Sequence, residues 1–159
     1  MTSLKSMASA KSKPQKIDFF FDIMCPWAYQ TSIWIRDVRS QTDLEINWRF
    51  FSLEEINRED GKKHPWERDR AYGWTPLRIA AWLRRIDADL CDDWYLVAAK
   101  ALHEDGLRPY EEATARELLA SIQHPKMPGT MRSPTKQLMM MYVPTTKNRS
   151  TSSPHSVCH

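Results

Sequence analysis

Cys25 is followed by Pro26, Trp27 and Ala28, and it comes just after the apolar, aromatic run Ile17-Asp18-Phe19-Phe20-Phe21-Asp22. That run is of the kind that makes a buried strand. From Trp27 onward the pattern becomes helical, with Ile33, Trp34, Ile35 and Val38 falling near one face. The sulfur is therefore expected at the junction of a strand and a helix. The first amides of a helix lack intrahelical acceptors, and the helix dipole places about half a positive charge at that end. Both favour a thiolate, the nucleophilic form of cysteine, so Cys25 reads as a reactive centre rather than a small packed hydrophobe. Pro26 suits the first helical turn, where its missing N–H would have had no partner.

The elements that must hold this cysteine follow from periodicity. The helix should end in the polar cluster Ser40 to Asp43, and Leu44, Ile46, Trp48 and Phe50 then alternate with Glu45, Asn47 and Arg49. Strict alternation of this kind predicts a strand. Strand, helix and strand in that order make a βαβ unit with parallel strands. Trp34 and Trp48 are expected in the core, while Trp27 and Tyr29 are placed to line a groove beside the thiol. Ser52 to Trp74 reads as a polar loop, with His64 and Trp66 in it. Three helices are expected after it: 77–86 behind Pro76, a second capped by Asp92 or Asp93 and stopped near Gly106, and a third over 109–122. Glu111 and Glu112 sit in the first turn of that third helix, where its dipole favours acids.

The rest of the composition narrows the function classes. The chain has 159 residues with 42% hydrophobic and 27% charged, a soluble globular profile. No apolar run approaches the roughly 20 residues needed to span a bilayer, and residues 1–16 lack the apolar stretch of a secretory signal. These residues read as a flexible leader, and the cytoplasm is the expected compartment. The net charge of +3 is unevenly spread: every Asp and Glu lies between Asp18 and Glu117, with lysines and arginines on both flanks. Sparse basic flanks are not a patterned nucleic-acid face, so no nucleic acid and no membrane partner is expected. Three scattered cysteines, Cys25, Cys91 and Cys158, make no disulfide framework. Cys91, among acids, reads as inert. His155, Cys158 and His159 end a tail without a fold pattern, and no metal site is expected. Residues 123–159 contain no Asp or Glu and are rich in Pro, Ser, Thr and Met. They read as disordered or non-native.

The run FFFDIMCPWAYQTSIWI, followed by LEINWRFFSLEEIN, resembles the DsbA-like thioredoxin-fold oxidoreductases. It is most similar to their actinobacterial cytosolic branch, whose active site is usually Cys-Pro-Trp-Cys and whose members include mycothiol-dependent reductases. The resemblance covers about residues 17–122. It implies an α/β fold, a thioredoxin-like βαβ unit with a helical insertion, and a thiol–disulfide oxidoreductase with Cys25 catalytic and Pro26, Trp27 and Tyr29 at the substrate. The sequence departs from that family in two places. Ala28 stands at the resolving cysteine, so the second thiol must be external, by analogy mycothiol or glutathione. The family's cis-proline motif is matched in letters by Val143-Pro144-Thr145, which makes Pro144 a substrate-binding candidate. It arrives early and no strand-like run follows, so the C-terminal strands are expected to be missing through truncation or a frame shift. A thiol-dependent transferase or isomerase like glutathione transferase kappa, and a non-catalytic fragment that self-associates through an exposed sheet edge, remain as alternatives.

Overall fold

The computed structural model describes residues 14–68 and 71–127. Pro144, Cys158 and the two C-terminal histidines lie outside these residues. The fold is mixed α/β. Strand β1 (Gln15–Phe21) leads into helix α1 (Pro26–Gln41), which returns to strand β2 (Leu44–Phe50). A short helix α2 (Leu53–Ile56) and a 3-10 turn (Pro65–Glu67) follow, then α3 (Trp74–Ile86), α4 (Ala88–His103) and α5 (Glu112–Ser121).

β1 and β2 are parallel, with Ile17 opposite Ile46, Phe19 opposite Trp48 and Phe21 opposite Phe50. Because side chains alternate along a strand, the two faces of this small sheet differ in chemistry. One face presents Ile17, Phe19, Phe21, Leu44, Ile46 and Trp48 to the core. The other carries in-register polar pairs: Lys16 with Glu45 at 2.5 Å, and the Asn47 amide donating to Asp18 at 2.5 Å. The expected βαβ unit and its period-two second strand are both present.

The core is centred on α4. Trp94, Tyr95 and Leu90 are fully buried with Ile79 and Leu83 of α3 and Phe21 of β1. Trp94 Nε1–H donates to the Pro76 carbonyl at 2.9 Å, which satisfies the polar end of a buried indole. Tyr95 stacks on Phe21 with ring centroids 4.1 Å apart, joining helix to sheet. Met127 is also buried in this core, beyond the boundary expected at 122.

The sequence reading is corrected at several points: the expected loop from Ser52 to Trp74 contains α2 and the 3-10 turn, the last helix starts at Glu112 with Glu111 as its N-cap, and two further differences follow from packing. The cap of α4 is Asp87, whose side chain accepts the Asp89 amide at 2.9 Å, rather than Asp92 or Asp93. Asp92 is instead drawn inward, where its carboxylate takes the Arg36 guanidinium at 2.6 Å and that of Arg39 at 2.7 Å. Arg36 also lies over the Trp48 ring at 4.4 Å. A helix has one N-terminus but several acids near it, and only packing against α1 decides which acid is spent on the interior. The second difference is Trp34, expected in the core and found 61% exposed. The buried stripe of α1 is Tyr29, Ser32 and Ile35. Its apolar residues cover a wider arc than one contact face, and Trp34 falls outside it.

Candidate functional site

The N-terminus of α1 carries the candidate site. Cys25 is the N-cap residue, with extended backbone at φ −87° and ψ 109°. Its amide donates back to the Asp22 carbonyl at 3.0 Å, and its own carbonyl accepts the first helical bond from the Tyr29 amide at 3.0 Å. Cys25 Sγ accepts the Ala28 amide at 3.4 Å, so the sulfur occupies the place that a serine or aspartate oxygen takes in an ordinary cap. No acidic residue stands in the first turn of α1 to oppose a negative sulfur. The residue is partly exposed and makes no disulfide. A helical amide that has no acceptor within the helix points at this sulfur.

The turn that presents Cys25 is held from two sides. Asp22 is buried at 1% exposure, and its two carboxylate oxygens accept the Met24 amide at 2.9 Å and the Leu53 amide at 2.7 Å. One side chain thereby ties the β1–α1 turn to the start of α2. Burial raises the pKa of Asp22 above the usual carboxylate value, partly offset by those two amides, with the Glu54 charge adding to the rise. From the other side, His103 Nε2–H donates to the Ile23 carbonyl at 2.8 Å. The proton is on that nitrogen because a carbonyl oxygen can only accept. Glu54 in turn accepts the Tyr72, Gly73 and Trp74 amides at 2.9–3.1 Å, capping α3 beside the same turn. Gly73 is pressed close to it: a Cβ there would stand 3.1 Å from Met24 Cγ.

The expected site residues are therefore separated by the structure. Pro26 opens α1 as its first residue, beside Cys25. Trp27, two residues after Cys25, is 80% exposed. Tyr29 is only 2% exposed. Its hydroxyl donates to Glu104 at 2.5 Å and its ring stacks on His103. Burial and that carboxylate push its ionisation well above the usual tyrosine range. Asp22, Glu54 and His103 were not singled out by sequence reasoning. A signal existed for Asp22, an acid closing an apolar run just before the cysteine; His103 had none, since its partner is 80 residues away.

Cys91, unlike Cys25, is sealed in the core. It is 1% exposed, and burial pushes its thiol up to about 12. Among the described residues, Asp87, Asp89 and His124 approach closely enough to share a cation, but Lys126 already pairs with Asp87. That group sits at the opposite end of α4 from His103.

Residues 24–134 match the family model described as Rv2466c-like, mycothiol-dependent nitroreductase Rv2466c. The chain belongs to this family. The match begins one residue before Cys25, so it includes the whole of α1 and its cap. The chain is also 58% identical over 106 residues to the Uncharacterized protein Rv2286c of Mycobacterium tuberculosis. That stretch is 67% of this chain and 46% of the relative, so the chain spans about half the length of the curated relative it matches. These matches correct the DsbA resemblance and the disulfide oxidoreductase activity it implied. The resemblance rested on a short Cys-Pro-Trp motif and the strand behind it, whereas the family match extends over most of the chain and carries a nitroreductase description. No helix among the described residues is long and apolar enough to cross a membrane.

Proposed function

We propose that this chain carries the thiol-reactive part of a mycothiol-dependent nitroreductase, with Cys25 as the protein's reacting sulfur. The observation that carries the reading is the seat of Cys25 Sγ at the α1 cap, accepting the Ala28 amide, inside the region matched by that family. Reduction of a nitro group to a nitroso group takes two electrons and two protons and releases one oxygen as water. Two thiols supply these and leave joined as a disulfide. With Ala28 where a second cysteine would stand, one thiol is that of Cys25 and the other that of mycothiol; a further mycothiol then returns Cys25 to the thiol. Trp27, exposed two residues after Cys25, offers a flat face for either small molecule. Asp22 and His103 hold the turn, and so position the sulfur without touching substrate.

The partner in this reading is a small thiol, and the compartment is the cytoplasm, where such thiols are kept reduced. Residues 17–122 are proposed as the reactive unit. The test is reduction of a nitroaromatic by the full chain with mycothiol as the electron source. Cys25→Ser is expected to lower the rate at least about 100-fold, while Cys91→Ser leaves it within about twofold. Activity that survives Cys25→Ser overturns the reading. Self-association through the sheet edge is proposed alongside it, because an open edge offers unpaired backbone groups; sedimentation that finds only monomer removes it.

A further inference from the structure

The free edge of β2 can be read group by group. The Asp43 carbonyl and the Phe51 amide, at the two ends of this strand, both bond to β1. Backbone groups alternate in direction along a strand, so those of Leu44, Ile46, Trp48 and Phe50 point the other way. On that side the Arg84 guanidinium, from the last turn of α3, donates to the Trp48 carbonyl at 2.7 Å. No strand lies beside this edge among the described residues.

The sequence of β2, Leu44-Glu45-Ile46-Asn47-Trp48-Arg49-Phe50, is complementary to itself when reversed about Asn47. A second copy laid antiparallel along this edge, with Asn47 on the two-fold axis, sets Ile46 against Trp48 and Leu44 against Phe50. Both are pairs whose backbone groups face each other, so the register satisfies the edge as well as the side chains. Glu45 then lies directly opposite Arg49 of the other copy, twice by symmetry, at the closer non-hydrogen-bonded spacing. Arg49 is exposed and makes no ion pair among the described residues, which leaves its charge for this use. β1 reversed about its own centre would instead set Asp18 against Asp18, a destabilising pair of like charges. Arg84 covers the middle of the β2 edge in a single copy, donating also to the Asn47 side-chain oxygen at 3.1 Å. A charged guard of this kind blunts an edge, and it makes the pairing weak and concentration-dependent rather than obligate.

We infer that β2 is a homodimer contact, pairing antiparallel with β2 of a second copy about Asn47. The inference rests on the sheet-edge self-association proposed above and is independent of the thiol chemistry. Sedimentation equilibrium of the full chain under reducing conditions reads the dissociation constant. Arg49→Glu sets like charges opposite each other and is expected to raise it at least about tenfold. Combining Glu45→Arg with Arg49→Glu exchanges the charges and should restore it within about threefold. Arg84→Ala uncovers the edge and should lower it at least about threefold. Cross-linking reads the register, in a background of Cys25→Ser and Cys158→Ser. Residues opposite each other on the axis lie about 4.5 Å apart at Cα, within disulfide reach. Asn47→Cys should therefore oxidise to a covalent dimer, while Glu45→Cys, displaced from the axis, should not. Protection of buried Cys91 from a thiol reagent reports that each variant is folded; if Arg49→Glu is not, the cross-linking decides. A parent chain that sediments as monomer at every concentration overturns this contact and the broader self-association together. A dimer unchanged by Arg49→Glu, weakened by Arg84→Ala, or cross-linked equally at both positions overturns this contact alone. Growth beyond the dimer means open-ended edge pairing and overturns it as well.

Discussion

Two cysteines of this chain lie near the beginning of a helix, and the chain uses them in opposite ways. Cys25 is the cap of α1, outside the first turn, with the Ala28 amide pointing at its sulfur. Cys91 lies within the first turns of α4, facing the core beside Asp92. Proximity to a helix start is therefore not sufficient to activate a thiol. The cap position places the sulfur in front of free amides, whereas a position inside the helix turns the side chain sideways into whatever packs there. For Cys91 that is apolar surface, and burial outweighs the nearby arginines Arg84 and Arg36 to drive its thiol up to about 12. The amide in front of the Cys25 sulfur has no counterpart at Cys91, where burial disfavours the charged form.

The largest effect expected from this contrast is in alkylation. Only the thiolate reacts, and a thiol ionising near 12 is about 0.01% thiolate at pH 8. Iodoacetamide followed by peptide mass spectrometry should modify Cys25 more than about 1,000-fold faster than Cys91 in the folded chain. Comparable rates at the two sites would break the comparison outright.

Asp92 separates the burial of Cys91 from its helix position. Removing one partner of a buried ion pair leaves the other uncompensated and typically costs about 3–5 kcal/mol. Asp92→Ala strands Arg36, whose side chain is 12% exposed in its pair. Urea unfolding should show a loss of that size, and Cys91 should become reactive at lower urea than in the parent. A loss under about 1 kcal/mol would mean that the α1–α4 contact does not depend on this acid.

Alkali should expose Cys91 in a third way. Its pKa is raised on folding, from 9.0 to about 12, so the neutral thiol is the form that the folded state prefers. The stabilisation is complete below about 9 and is lost as pH climbs toward 12, because only the unfolded chain then releases the proton. At about 1.4 kcal/mol per pH unit the loss reaches at most about 4 kcal/mol. Cys91→Ala should flatten the slope of stability against pH in that range, although Tyr95, also pushed up to about 12, retains part of it. An unchanged slope would show that Cys91 is not buried as described.

The smallest expected effect concerns the turn at Cys25. Asp22→Asn keeps the shape but replaces one of two acceptors with a donor facing an amide. Leaving a buried donor unpaired costs about 1–3 kcal/mol. Hydrogen exchange should accelerate at Met24 or Leu53, whose amides bond Asp22, while the α4 amides around Cys91 keep their protection. Equal acceleration in both regions would mean that the turn is not an independent unit.

Several of these features were readable in the order of residues. The alternation of Leu44, Ile46 and Trp48 specifies a strand with one buried face, because side chains on a strand can only alternate. Cys25-Pro26 between an apolar run and a helical pattern locates the cap, since proline is tolerated in the first turn and nowhere deeper. The family reading went astray at the same place, because a four-residue motif states what the backbone does and not which electron acceptor the finished site takes.

What local order determined is the strand–helix–strand frame and the seat of one sulfur, both governed by interactions within a few residues. Tertiary packing alone decided that Trp34 faces solvent, that Asp92 leaves the helix cap to Asp87, that Tyr29 points inward to Glu104, and that His103 reaches back to the Ile23 carbonyl. The last three depend on partners tens of residues distant, and burial of a polar group is stable only where such a partner arrives.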